Sequence, residues 1–422
     1  MSPAVLRLVL LVSCCHGLVH IYEHSFASVE QLVGQEFGVG KETTGLIGSC
    51  LRLPFGLFAL AAGWMADRWG ARRLLLVYVI GCSFSALLAS LSPALAGMFL
   101  AMFLLGTFAG IYHPAGVGWI AQHTGADSRP LALGYHGMLG SAGIAAGPFL
   151  AALVLNGGLS WRGYYFVLGV VGAVLAWGLA WVLPRKEASA CPALAPAGGG
   201  NPVSHAEDAQ AAASVRQNDS WASFWILSGM TSLAGMVYAA VTTFLPRYLD
   251  ETGWLIGGIS PASMRNYQTG LVLVLGIVGQ YTAGRVGRPS TLEPLITLAF
   301  ALAAPCVVWM GFARGLARLA AAGLFAVLFF AHQPLYNSAV AKYVVGRRRG
   351  LAYGMSFTLG FGIGSLGPAL AGQIRQDEIL YPILGGILAG AAVLAALLWR
   401  IHQPATPPIS PVPPPSDEGA LL

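Results

Sequence analysis

The chain has 422 residues, 56% of them hydrophobic and only 9% charged, with a formal net charge of +6. An average soluble domain carries roughly 25% charged residues, and one water-soluble core cannot hide so large an apolar excess. Composition therefore excludes a soluble globular fold. The basic residues are scattered between apolar runs rather than gathered on one face, which excludes a nucleic-acid binder.

Twelve apolar runs, each long enough to cross a hydrocarbon layer of about 30 Å as a helix, are predicted at 5–32, 43–64, 74–93, 95–122, 131–155, 163–183, 222–246, 265–286, 292–312, 317–343, 350–374 and 379–401. The first contains HGLVHIYEH, residues 16–24. LVSC ending at Cys14 looks like a lipoprotein cleavage site, but Arg7 is the only basic residue of the would-be leader, so the run reads as a span. At 100° per residue, His16, His20, Glu23, His24 and Glu30 fall within about 120° of arc. Such a stripe belongs against protein or water, not acyl chains. Arg52 lies about nine residues into the second run; an arginine keeps its proton there and needs an anion, from Glu23, Glu30 or a substrate.

His113 in the fourth run and Gln333 in the tenth each precede a proline, Pro114 and Pro334. The fifth run carries glycines at three- and four-residue spacing, Gly137, Gly140, Gly143 and Gly147, which let helices approach closely in lipid, and Pro148 permits a bend. GFGIGSLGP, residues 360–368, contains a dinucleotide-type glycine pattern, but without a preceding strand it reads as packing. Tyr238 and Asn337 are candidate polar liners from the later runs. The six cysteines show no zinc-type spacing and read as small packing residues.

Hydrophobicity collapses between Pro184 and Ser220, so the division reads as 1–184, a first six-helix bundle; 185–221, a flexible linker; 222–402, a second bundle; and 403–422, a disordered Pro-rich tail. At an offset of 220, Pro114–Ala151 aligns without a gap on Pro334–Ala371, and twelve positions are identical, among them Arg129/Arg349, Gly140/Gly360, Gly147/Gly367 and Pro148/Pro368. Repeats of this kind mark secondary transporters, with substrate sites near the midplane between the halves. The fold class is thus all-α integral membrane, twelve transmembrane helices in two pseudo-symmetric bundles. Arginines counted loop by loop place both termini in the cytoplasm. Arg outnumbers Lys twenty to three, which hints at a bacterial source and so at the inner membrane.

GWMADRWGARR, residues 63–73, resembles the loop between helices 2 and 3 of the major facilitator superfamily, G-x-x-x-D-R-x-G-x-R-R. Gly63, Asp67, Arg68, Gly70, Arg72 and Arg73 take its positions. GIYHPAG, residues 110–116, and the Gly-Pro fifth helix are most similar to the fosmidomycin-resistance-like branch. The resemblance implies a cytoplasmic gate at Asp67, set against the amino end of a helix from the other half, with Arg129 and Arg349 extending the network. It also implies that the first helix lines a central cavity.

The expected function is proton-coupled secondary transport of a small, anionic organic solute or antibiotic by a monomer in the lipid bilayer. Glu23 with His16 or His20 would bind the proton, because histidine changes charge near neutral pH. Arg52, His24, His113, Gln333, Tyr238 and Asn337 would meet the substrate. A fosmidomycin-type exporter and an importer of organic anions stay equally open; Met102 stands where drug–proton antiporters carry an arginine. The alternative is a transition-metal transporter using the His/Glu stripe, though Arg52 would repel a cation. No H-E-x-x-H or G-x-S-x-G is present, so no enzyme is expected, and no cofactor.

Overall fold

Ser2 opens the first helix by accepting the Val5 amide at 3.3 Å, with Pro3 at a first-turn position where its missing N–H costs nothing. Gly38, at φ 64°, closes it. The computed structural model describes residues 1–125, 128–183, 220–344 and 349–402, and no strand occurs among them. Their helices are α1 (Pro3–Phe37), α2 (Lys41–Trp69), α3 (Ala71–Leu91), α4 (Leu95–Ala109), α5 (Tyr112–His123), α6 (Arg129–Asn156), α7 (Trp161–Val182), α8 (Trp221–Asp250), α9 (Pro261–Val286), α10 (Leu292–Phe312), α11 (Ala317–Phe330), α12 (His332–Tyr343), α13 (Arg349–Gly364), α14 (Leu366–Gln373) and α15 (Asp377–Ile401). The expected linker and tail lie outside the described residues, apart from Ser220 and Trp221, where α8 begins.

Eleven stretches of the described chain are long and apolar enough to cross a membrane. The remaining expected span, 350–374, is present as α13 and α14, divided at Ser365. The expected spans 95–122 and 317–343 are each broken as well, at Gly110-Ile111 and at Ala331. These breaks sit 220 residues apart, just before Pro114 and Pro334. A proline ring collides with the carbonyl four residues earlier and cannot donate to it, so both copies open at the same place.

Two apolar cores form. One is built on Tyr22, Phe26, Phe55, Tyr78, Trp119 and Tyr164; the other, on Phe224, Phe300, Phe329 and Tyr381, also takes in Ile144 and Ala145. Outward-facing Ile80, Phe84, Val174, Trp177 and Val393 are exposed; so much exposed apolar surface suits acyl chains, not water. The halves meet along α6 with α9, α2 with α13 and α14, and α1 with α8.

Three arginines mark the ends of expected spans: Arg247 just past 222–246, and Arg265 and Arg318 at the starts of 265–286 and 317–343. Arg247, Arg265 and Arg318 lie inside α8, α9 and α11, and the latter two are buried. Helices run on past their apolar windows, and each arginine there meets an acid: Arg247 with Glu30, Arg265 with Asp250, Arg318 with Asp377 and Glu251. All of these pairs lie at the end of the molecule opposite the described chain termini, here called the far end.

Candidate functional site

Four side chains of the α1 stripe point into the molecule, because residues three and four apart share a helix face. His16, His20, Glu23 and His24 are all buried. The glycines of α6 make room for them. Gly143 packs on the backbone of Gly17, Gly140 lies under the His16 ring, and a Cβ added at Gly147 would lie 3.5 Å from the His24 Cβ. A larger residue at 140 would occupy the space of the imidazole. Pro148 lies within α6, which stays continuous past it. In the second half Gly360 faces Thr231, Gly367 packs on the backbone of α8 at Met236 and Ala240, and Pro368 stands beside Gly45 and Gly48 of α2.

The centre is a chain of polar contacts across both halves. Arg52 of α2 donates from Nη1 to Glu23 Oε1 at 2.7 Å and from Nη2 to Thr242 Oγ1 of α8 at 2.9 Å. Its guanidinium lies 5.2 Å from the centre of the Tyr238 ring. The Thr242 hydroxyl in turn donates to the Tyr238 carbonyl at 2.6 Å. The second oxygen of Glu23 meets His20 Nδ1 at 2.8 Å. His20 Nε2 meets His16 Nε2 at 3.2 Å, and His16 Nδ1 meets the His136 carbonyl at 2.7 Å. His24 Nε2 bonds the Tyr238 hydroxyl at 2.9 Å, again between halves. His113 stacks on Phe357 at 4.9 Å, and neither its Nε2 nor that of His136 has a hydrogen-bond partner.

Other expected residues fall elsewhere. Gln333 accepts from Gln280 at 2.6 Å, which in turn accepts from Ser141 at 2.5 Å, so it belongs to the α6–α9 contact. Asn337 is exposed, and its carbonyl accepts from Tyr353; the structure does not bring it to the centre. Gly70 turns the chain between α2 and α3 at φ 83°, a conformation that L side chains rarely adopt. Gly63 has open space around it. Arg72 donates to the carbonyls of Leu183 and Ala180 at the end of α7, within its own half. Arg68 lies over Trp64, and Arg73 is exposed. The side chains of Asp67, Arg129 and Arg349 lie outside the described residues.

Thr242 was not among the expected site residues, whereas His136, one turn into its helix, was expected to face the gate or the cavity. Tyr238 and Thr242 stand four apart on α8, a one-faced polar spacing that could have flagged the threonine.

At the far end Glu30 is buried and bidentate to Arg247, Nη2 to Oε1 at 2.8 Å and Nε to Oε2 at 3.1 Å, and also accepts from Thr44. Hydrogen bonds to charged groups contribute about 1.5–3 kcal/mol each. Glu30→Gln is therefore expected to raise labelling of a cysteine placed at Ser28 by a membrane-impermeant maleimide at least ~10-fold. Unchanged labelling would remove this pair as a latch between the halves.

The ligand atoms of His16, His20 and His113 lie within 4.8 Å of one another. A tetrahedral zinc with bonds of about 2.0–2.1 Å needs donors closer than that span. Three neutral imidazoles would also leave a dication uncompensated beside Arg52, since both Glu23 oxygens are already engaged.

Two related helical halves closing on a buried charged centre define a multi-pass membrane transporter. The Major Facilitator Superfamily model matches residues 12–368, and the chain belongs to that family. It is 24% identical over 412 residues to a probable sulfoacetate transporter of Cupriavidus necator, covering 93% of each chain. It is 25% identical over 390 residues to a gallate transporter of Pseudomonas putida, covering 86% of this chain and 84% of that one. Among solved structures, a bacterial homologue of the human lysosomal transporter Spinster, in an inward-facing unoccupied conformation, superimposes with a TM-score of 0.72 at 15% identity, over 95% of this chain and 97% of the other.

Proposed function

We propose that this protein moves a small organic anion across a bacterial inner membrane by alternating access, driven by a proton gradient, with both termini in the cytoplasm. The observation that carries the reading is the Arg52–Glu23 pair, with Arg52 reaching at the same time to Thr242 of the other half. Arg52 is a permanent cation at membrane depth, and its guanidinium fork suits a carboxylate or sulfonate. Relatives spanning nearly the whole chain are named for sulfoacetate and gallate, both small organic acids. These names support an organic anion as the cargo and leave the direction of transport open.

Glu23, with His20 and His16 behind it, carries the coupling proton. His24, His113 and Tyr238 line the path of the substrate, while Gln333 is engaged by Gln280 and Asn337 is exposed beside Tyr353. The residues of the 63–73 loop, with Arg129 and Arg349, form the cytoplasmic gate. Glu23→Gln is expected to keep gallate or sulfoacetate counterflow while reducing gradient-driven accumulation in proteoliposomes at least ~10-fold. Full gradient dependence in that variant would end the assignment of the coupling residue.

A further inference from the structure

We propose that the His16–His20 pair stores the coupling proton and that it passes to Glu23 when an anion takes Glu23's place on Arg52; the second step rests on the anion-transport reading above, the first does not. The hydrogen bonds fix the protons. His16 Nδ1 faces a backbone carbonyl at 2.7 Å, and a carbonyl only accepts, so Nδ1 carries hydrogen. His20 Nδ1 faces Glu23 Oε2 at 2.8 Å, and the other oxygen of that carboxylate accepts from Arg52. An ionised carboxylate also only accepts, so His20 Nδ1 carries hydrogen too. Two neutral rings in those tautomers would aim bare lone pairs at each other across the 3.2 Å between their Nε2 atoms. One extra proton removes the conflict, sitting on His20 Nε2 and donated to His16 Nε2.

The same contacts supply the transfer. The His20 Nδ1–H bond breaks and a Glu23 Oε2–H bond forms. His20 keeps its Nε2 hydrogen, donated to His16, and His16 continues to donate to the His136 carbonyl. The proton moves along an existing hydrogen bond, so the transfer itself needs no shift of either imidazole; the anion then replaces Glu23 Oε1 as the acceptor from Arg52. Before transfer the centre holds Arg52⁺, Glu23⁻ and an imidazolium. Afterwards Arg52 is the sole charge, ready to be neutralised by a monoanion. Glu23 thus stands in for the substrate's acid group while the site is empty.

The neighbouring titratable and charged groups leave this chain intact. Tyr112 of α5 donates its hydroxyl to the Val12 carbonyl. The imidazoles of His113 of α5 and His136 of α6 contact the His16 ring without bonding its nitrogens, and the His113 ring also lies 5.5 Å from that of His20. Tyr238 of α8 is engaged by His24, and Arg52 of α2 reaches the pair only through Glu23.

The test is solid-state NMR on chelator-treated protein labelled with ¹⁵N-histidine and ¹³C-glutamate, in bilayers between pH 5.5 and 8, with the Glu23 carboxyl signal assigned by Glu23→Gln. The expected result is one strongly hydrogen-bonded proton linking two ring Nε2 atoms, missing in His16→Gln and in His20→Gln. Adding gallate, a monoanion over this range, should abolish the imidazolium and shift the Glu23 carboxyl carbon to its protonated position, whereas sulfoacetate, a dianion, tests binding only. Two neutral Nδ1–H rings across the whole range would overturn the storage step, as would a metal-bound Nε2 signature abolished by stronger chelation. An imidazolium unchanged by bound gallate would overturn the transfer. Failure of both anions to bind, with the shared proton present, would strike the anion reading and the transfer while leaving the storage step standing. In transport, His16→Gln should lose gradient-driven uptake at least ~10-fold yet keep counterflow, whereas Arg52→Met should lose both.

Discussion

Arg52→Met is expected to abolish anion binding and to destabilise the protein, and the second effect, unlike the first, should be repaired by Glu23→Gln. Arg52 and Glu23 are both buried, at 2% and 3% exposure. Removing one member of a buried pair strands the other charge, at a cost of about 3–5 kcal/mol. Removing both, with side chains of similar volume, is close to neutral. The double variant should therefore regain thermal stability. It should not regain binding, because the loss of a desolvated charge partner costs a ligand roughly 2–5 kcal/mol, at least ~30-fold in affinity. Arg52→Lys should recover little. A single ammonium cannot serve Glu23 and Thr242 with the planar fork that makes both contacts at 2.7 and 2.9 Å. Gallate and sulfoacetate titrations, with thermal unfolding on the same samples, separate the two effects. Wild-type binding by Arg52→Met would eliminate the anchor.

The fold was legible because the bilayer imposes its own length. Runs of about twenty apolar residues stand out, and a one-faced stripe such as His16, His20, Glu23 and His24 has no other place to go than inward. The partner of Arg52 within its own half was legible for the same reason, since a buried arginine demands an anion and Glu23 was one of two on offer.

Other features carry no such demand. Thr242 meets Arg52 from 190 residues away, and a threonine in an apolar helix can as readily bond its own carbonyls. How far the helices run at Arg247, Arg265 and Arg318 was not legible, because a polar helix end and a loop have the same composition. Only the acids opposite them, distant in sequence, settle the matter. The exposure of Asn337 was not legible for a geometric reason. The helix reopens at Ala331, so its face cannot be extrapolated from the residues before the break.

A side chain at Gly56 or at Gly45 is expected to drive the halves apart at opposite ends of the protein. Both glycines are on α2, one on either side of Arg52, about 6 Å and 10 Å along the axis. A Cβ at Gly56 would lie 2.8 Å from the Phe361 carbonyl carbon and 3.0 Å from the Gly362 Cα of α13. At Gly45 it would lie 3.0 Å from the Gly372 Cα and 3.3 Å from the Pro368 carbonyl carbon of α14. The obstacles are backbone, so no rotamer change relieves the overlap and the helices themselves must separate. Overpacking of this kind costs about 1–3 kcal/mol, enough to move a two-state equilibrium roughly 5- to 150-fold. Gly56→Ala should populate the state open at the terminal end, and Gly45→Ala the state open at the far end. Spin labels at Leu133 with Val286 and at Asn156 with Pro261 report the two openings separately. Each variant should lose transport at least ~10-fold while still binding anions, since neither glycine touches Arg52. If both substitutions lengthen the same label pair, or neither changes any distance, the halves do not rock about the level of Arg52.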